Sequence, residues 1–140
     1  MTIINVTDPK ATAEFYVKAF GFELGMIAPN NAYVDIKEPD LDYNLDMMKY
    51  QTTIGFTKKE DFENEYNMDL QELDPTKDPS AIHLTFHSQN VKRDLERALN
   101  NGAKLIAETH KTEWTEELAY VSDINGVIIA IAGKPVDMRK

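Results

Sequence analysis

The chain has 140 residues, 42% of them hydrophobic, and a net charge of −9; that composition supplies one domain with a core and argues against wholesale disorder. The acid excess disfavours nucleic acid and anionic membranes as partners, and no apolar run approaches the ~20 residues that span a bilayer. Cysteine is absent, which excludes disulfides, thiolate metal sites and cysteine nucleophiles and points to a cytoplasmic setting; MTIINVTDPK also lacks the basic start and long apolar core of a secretory signal.

INVTDPKATAEFYVKAFGFEL opens with a short strand carrying Ile4 and Val6. Asp8 suits a helix N-cap, because its carboxylate accepts from an orphan amide of the first turn. Pro9 suits the first helical position, where a missing N–H costs nothing. Thr12, Phe15, Tyr16, Ala19 and Phe20 recur at helical spacing, and Gly21 supplies a left-handed stop. FELGMIA and NAYVDIKE read as strands around a Pro29-Asn30-Asn31 turn, and DYNLDMMKY as a further strand after Pro39-Asp40.

Residues 57 to 80 are strongly acidic and end in two prolines. They read as a linker with a short helix near Lys58 to Tyr66. A connection of that length joins two units or covers something.

The first pattern then returns. IHLTFH is a strand of period two, and Ser88 or Asn90 caps a helix with Val91, Leu95, Ala98 and Leu99 on its apolar stripe. Gly102 stops it. AKLIAET, ELAYVSD and GVIIAIAG are strands, the last two joined through Asn125-Gly126, a strong hairpin signal. Strand, helix and three strands thus occur twice, at a distance of roughly eighty residues from Asp8 to Asn90.

VTDPKATAEFYVKAFGFEL resembles the V-x-D…F-Y…L-G-F pattern of the vicinal-oxygen-chelate superfamily, which includes glyoxalase I, bleomycin-resistance proteins and extradiol dioxygenases. IHLTFHSQNVKRDLERALNNGAKL and WTEELAYVSDINGVIIAIAG are similar to its second half and its W-G…D-P-D-G-N ending, with Trp114, Asp123 and Gly126 in register. The resemblance implies an α+β fold. Two βαβββ modules, about 1–56 and 81–133 within a single domain over 1–140, curve a mixed sheet around a cavity that is often shared across a homodimer.

Metal-dependent members carry four ligand positions, on the first and last strands of each module. Carried over by the resemblance, they fall on Met1, His83, Ala130 and a position near Met47, beside Asp46. Only His83 matches. A pair made of His83 and His87 does not replace the others, because four residues along a strand span ~13 Å, whereas each ligating nitrogen sits about 2 Å from zinc. No cofactor is therefore expected. A Zn, Ni, Mn or Fe ion, were one bound, would take His83 with Asp46 or Glu117 and groups from a second chain.

Strand alternation turns Leu84 and Phe86 under the helix and leaves His83, Thr85 and His87 on the cavity side. It likewise turns Met1, Ile3 and Asn5, and Ile128, Ala130 and Ala132, toward the cavity. Trp114 is either a lid over the pocket or a packing anchor, and one of Glu116 and Glu117 points inward. Tyr33, Tyr43, Tyr50 and Phe56 are either pocket aromatics or plain core.

Three functions compete. The first is a metal-free homodimeric protein of the bleomycin-resistance type that binds a small cationic or aromatic molecule. The second is a metal-dependent lyase, isomerase or dioxygenase using His83. The third is a metal-free enzyme with His83 or His87 as general base. No glycine-rich phosphate loop, serine triad or nucleotide fingerprint is present.

Overall fold

The computed structural model describes residues 1–36 and 53–136. The strand expected over DYNLDMMKY, with Tyr43, Asp46, Met47 and Tyr50, lies outside them.

The first module runs β1 (Thr2–Val6), α1 (Pro9–Phe20), β2 (Glu23–Ala28), β3 (Asn31–Asp35) and β4 (Thr53–Lys58). The caps form as their residues dictate. Asp8 Oδ1 accepts from Ala11 N at 3.0 Å, and Gly21, at φ 73°, donates its N–H to Val17 O. Such a φ is strained for any residue with a β-carbon. An eight-residue helix, α2 (Lys59–Tyr66), follows β4 directly. The second module repeats the order as β5 (Leu84–His87), α3 (Val91–Asn100), β6 (Lys104–His110), β7 (Leu118–Ser122) and β8 (Ile128–Ala132). Asn90 caps α3 by accepting from Arg93 N.

Both sheets have the same topology. The orders are β1-β4-β3-β2 and β5-β8-β7-β6, with the first pair of each parallel and the rest antiparallel. The fold is thus the α+β pair of βαβββ modules that the sequence implies. No described helix is long and apolar enough to cross a membrane.

Each sheet buries one face under its own helix, and α1 and α3 pack on each other. The result is one shared core. Val6, Ala32, Val34, Ile54 and Phe56 enter it from the first sheet, and Phe86, Val121, Ile129 and Ile131 from the second. Phe56, one of the pocket candidates, is therefore plain core. Phe86 crosses the seam between modules, with ring centroids 4.8 Å from Phe22, 5.2 Å from Phe20 and 6.4 Å from Tyr16.

Polar contacts also cross the seam. The Tyr16 hydroxyl donates to Asp123 Oδ2 at 2.6 Å, Asn125 Nδ2 donates to Thr12 Oγ1 at 3.0 Å, and Arg97 Nε donates to Lys18 O at the end of α1. Asp123 Oδ1 meanwhile accepts from Asn125 N and Val127 N, which shapes the Asn125-Gly126 turn. Burial raises the Asp123 carboxyl above the usual carboxylate range, against the pull of these hydrogen bonds. Burial also raises the Tyr16 phenol, and the neighbouring Asp123 charge adds to that. The stretch read as a linker is tied to this turn: Leu73 packs against the core, and its carbonyl closes over Gly126.

Candidate ligand-binding site

Alternation leaves each sheet a second face, turned away from the shared core. On β5 and β8, Phe86 and Ile131 enter the core, while Thr85 and Ala130 stand side by side on the opposite face, as do His87 and Ala132. Leu118, Ala130 and Ala132, with Tyr120 against them, form a small apolar cluster there. Ile128 continues the same face at the start of β8.

The parallel pairing gives the first module its counterparts. Ile3 stands beside Gly55 and Asn5 beside Thr57, as Thr85 beside Ala130 and His87 beside Ala132. Tyr33 pairs with Gly55 as Tyr120 pairs with Ala130. The first-module equivalent of Ala130 is thus Gly55, and not a residue near Met47. The last strand of that module begins only at Thr53, six residues later than Met47. Neither Gly55 nor Tyr120 was singled out from the sequence. The number of residues from the helix to Gly55 and to Ala130 differs in the two halves, so counting from Asp8 and Asn90 loses the alignment after the helices.

His83 precedes β5 and is exposed; its ring meets Tyr120 edge to face, with centroids 5.6 Å apart and planes at 79°. Thr85 is exposed. His87 is half-buried, its Nδ1 is buried with no hydrogen-bond partner, and its ring lies on the carbonyl of Gly133. Burial holds its pKa below the ordinary histidine value, against a hydrogen bond to the Gly133 backbone. Asn5 is half-buried and accepts from the Thr57 hydroxyl at 2.7 Å.

Trp114 lies in the loop before β7, 43% exposed, so it anchors no core. Its backbone N–H donates to the Thr112 hydroxyl oxygen, and its carbonyl accepts from Val136 N. Leu118 starts the outer face of β7, and Glu117, one residue before it, is exposed and lies near Gly133. Glu116 is also exposed. His110 ends β6, exposed, with Nδ1 2.7 Å from Glu108 O.

Of the four positions that the resemblance marks for a metal, three carry Met1, Gly55 and Ala130, whose side chains offer no nitrogen or oxygen donor, and the fourth is His83. Among the described residues no three histidine or acidic side chains converge. These residues do not fit a three- or four-ligand metal site.

Paired βαβββ modules around one shared helix-side core define the class of fold. The model of the glyoxalase-like domain family matches residues 1–130, and the chain belongs to that family. The fold is similar to that of a glyoxalase/bleomycin resistance protein/dioxygenase family enzyme from Burkholderia phytofirmans PsJN, at 19% identity over 94% of both chains with a TM-score of 0.71. A glyoxalase-related enzyme from Fulvimarina pelagi is similar at 16% identity, covering 96% of this chain and 87% of that one, with a TM-score of 0.71. TnmS3, an antibiotic binding protein from Streptomyces sp. CB03234, is similar at 18% identity, covering 96% and 93%, with a TM-score of 0.60. No curated protein matches the chain.

Proposed function

We propose that this protein binds a small cationic or aromatic molecule without a metal, in a cytoplasmic homodimer whose cup is completed by the second copy. The observation that carries the reading is the chemistry of the equivalent positions on the two outer faces. Gly55 and Ala130 offer no side-chain donor where a metal enzyme needs ligands, and apolar side chains with a few polar points pack over them. TnmS3 supports it as a fold relative that binds an antibiotic.

The dimer rests on what one chain leaves in water. The two sheets share their helix-side core, which leaves apolar side chains outside it in water. Met1 is 77% exposed and Ile3 47%, with Met26, Ile82, Ile106 and Trp114 exposed as well. Apolar surface of this kind marks an interface. The net charge of −9 favours a cationic ligand over an anionic one.

The test is metal analysis of the purified protein, light scattering, and thermal melts with Ni, Zn, Mn or Fe and with a set of amphipathic cations. Dimeric mass, absence of stoichiometric metal and a rise in Tm with an amphipathic cation are expected. Stoichiometric metal lost on His83→Ala would overturn the metal-free reading in favour of a metal-dependent lyase, isomerase or dioxygenase. A monomer at working concentration would remove the shared cup.

A further inference from the structure

We infer that the ligand is planar and aromatic, and that in the homodimeric cup proposed above it stacks between two tyrosine platforms, Tyr33 of one copy and Tyr120 of the second, which the internal repeat places at equivalent positions of the two sheets. This rests on the small-molecule reading above and names the chemistry that such a site selects.

Each tyrosine stands across from the smallest residue on its neighbouring strand, Tyr33 from Gly55 and Tyr120 from Ala130. A β-carbon at Gly55 would lie 2.9 Å from Tyr33 Cε1 and 3.1 Å from Cδ1. The Tyr33 ring therefore leans over the glycine, in the space where a side chain would stand, and does not project freely from the sheet. Ile3 closes its other side, with Cδ1 at 2.6 Å from the same point. Tyr120 packs on Leu118, Ala130 and Ala132 and is braced by the edge-to-face contact with His83. Both tyrosines are half-buried, each held by the contacts named.

Held aromatic rings are economical contact surfaces, since they have few rotamers left to lose when a ligand arrives. They favour a flat π system over an aliphatic chain, through offset stacking, and a flat cation further, through the ring face. The core aromatics Tyr16, Phe20, Phe22 and Phe86 form a separate group on the helix side. The outer tyrosines are thus not the rim of the core.

The platforms differ in their neighbours, and this gives the ligand a direction. Beside Tyr33 stands the hydrogen-bonded pair Asn5 and Thr57; at the equivalent places beside Tyr120 stand His87 and Ala132. A planar ligand with a polar group at one end matches that asymmetry, with the polar end toward the first module.

The experiment uses the full chain and two probes, proflavine, a planar aromatic cation, and spermidine, an aliphatic one, with dissociation constants from fluorescence and calorimetry. Proflavine is expected to bind more tightly than spermidine. Tyr33→Leu and Tyr120→Leu are each expected to weaken proflavine about tenfold, the scale of losing one stacked ring. Tyr33→Phe and Tyr120→Phe keep affinity within about threefold, because the ring face and not the hydroxyl makes the contact. Gly55→Ala, which lifts the Tyr33 ring without removing it, weakens proflavine as well and stands in if Tyr33→Leu does not fold. Spermidine binding as tightly as proflavine, leucine variants that bind proflavine like the parent, or phenylalanine variants that lose as much as leucine would each overturn the platforms while leaving a small-molecule site. Absence of binding or thermal shift with every compound tried would overturn the small-molecule reading together with them.

Discussion

The two modules share a topology and a helix-side core, yet their outer faces have diverged. On the first, Ile3, Asn5, Tyr33, Gly55 and Thr57 form a wall with a polar end; on the second, Thr85, Tyr120, Ala130 and Ala132 form an apolar wall with His87 beside them. The core faces must interlock, so their side chains are constrained in both halves. The outer faces meet water, a ligand or a second chain, and are free to specialise. Repetition built the frame, and divergence of one face of each sheet made the site.

That comparison can be broken from the seam outward. Phe86→Ala removes the ring that bridges the modules and is expected to cost about 3–5 kcal/mol in urea denaturation; a loss near zero would mean that the modules do not depend on one core. Gly126→Val places a side chain against the Leu73 carbonyl at a φ of 86° and is expected to cost about 3 kcal/mol in the same measurement. An unchanged midpoint would show that the linker is not tied to the second module's turn. Tyr16→Phe leaves Asp123 without its cross-module donor, at about 1–3 kcal/mol. It should also change the pH dependence of stability. The folded pKa of Asp123 lies above its ordinary value of 3.8, so its contribution is fully present below pH 3.8 and is lost as pH rises through the folded pKa. Asp123→Asn should remove that slope from a series of melts.

Smaller effects sharpen the contrast between the walls. Gly55→Ala forces Ile3 and Tyr33 to move and is expected to cost about 1 kcal/mol, whereas Ala130→Gly opens space and costs about 0.5–1 kcal/mol through strand entropy. Equal and negligible shifts in Tm would mean that the tyrosines do not rest on these residues. The smallest effect belongs to His87. Its folded pKa lies below 6.5, so its contribution is present above pH 6.5 and is lost as pH falls through the folded pKa. Melts of the parent below pH 6.5 should fall more steeply than those of His87→Gln; parallel curves would place the ring in water.

Much of this was legible in the sequence because it is local. Asp8, Pro9 and Gly21 fix α1 through caps and backbone freedom, Asn90 caps α3, and Asn125-Gly126 turns β7 into β8. Period two assigned Phe86 to the core and Thr85, Ala130 and Ala132 to the other face, since alternation is a property of the strand itself. Asp46 lies outside the described residues. Which of Glu116 and Glu117 faces inward depends on where β7 starts, which sets the phase of the alternation, and neighbouring glutamates carry no sign of it.

What the sequence determined by itself is the repeat, the ends of its helices, the family and the in-or-out assignment along each strand. These rest on residue-level preferences that act over a few positions. Only the tertiary structure decided which strand of the first module answers β8, that Gly55 and Ala130 are equivalent, that Tyr33 and Tyr120 stand over them, and that both modules share one core through Phe86, Tyr16 and Asp123. Those facts depend on pairing between strands far apart in the chain. Unequal numbers of residues between the strands erase that pairing from the spacing, and hydrogen bonds between strands restore it.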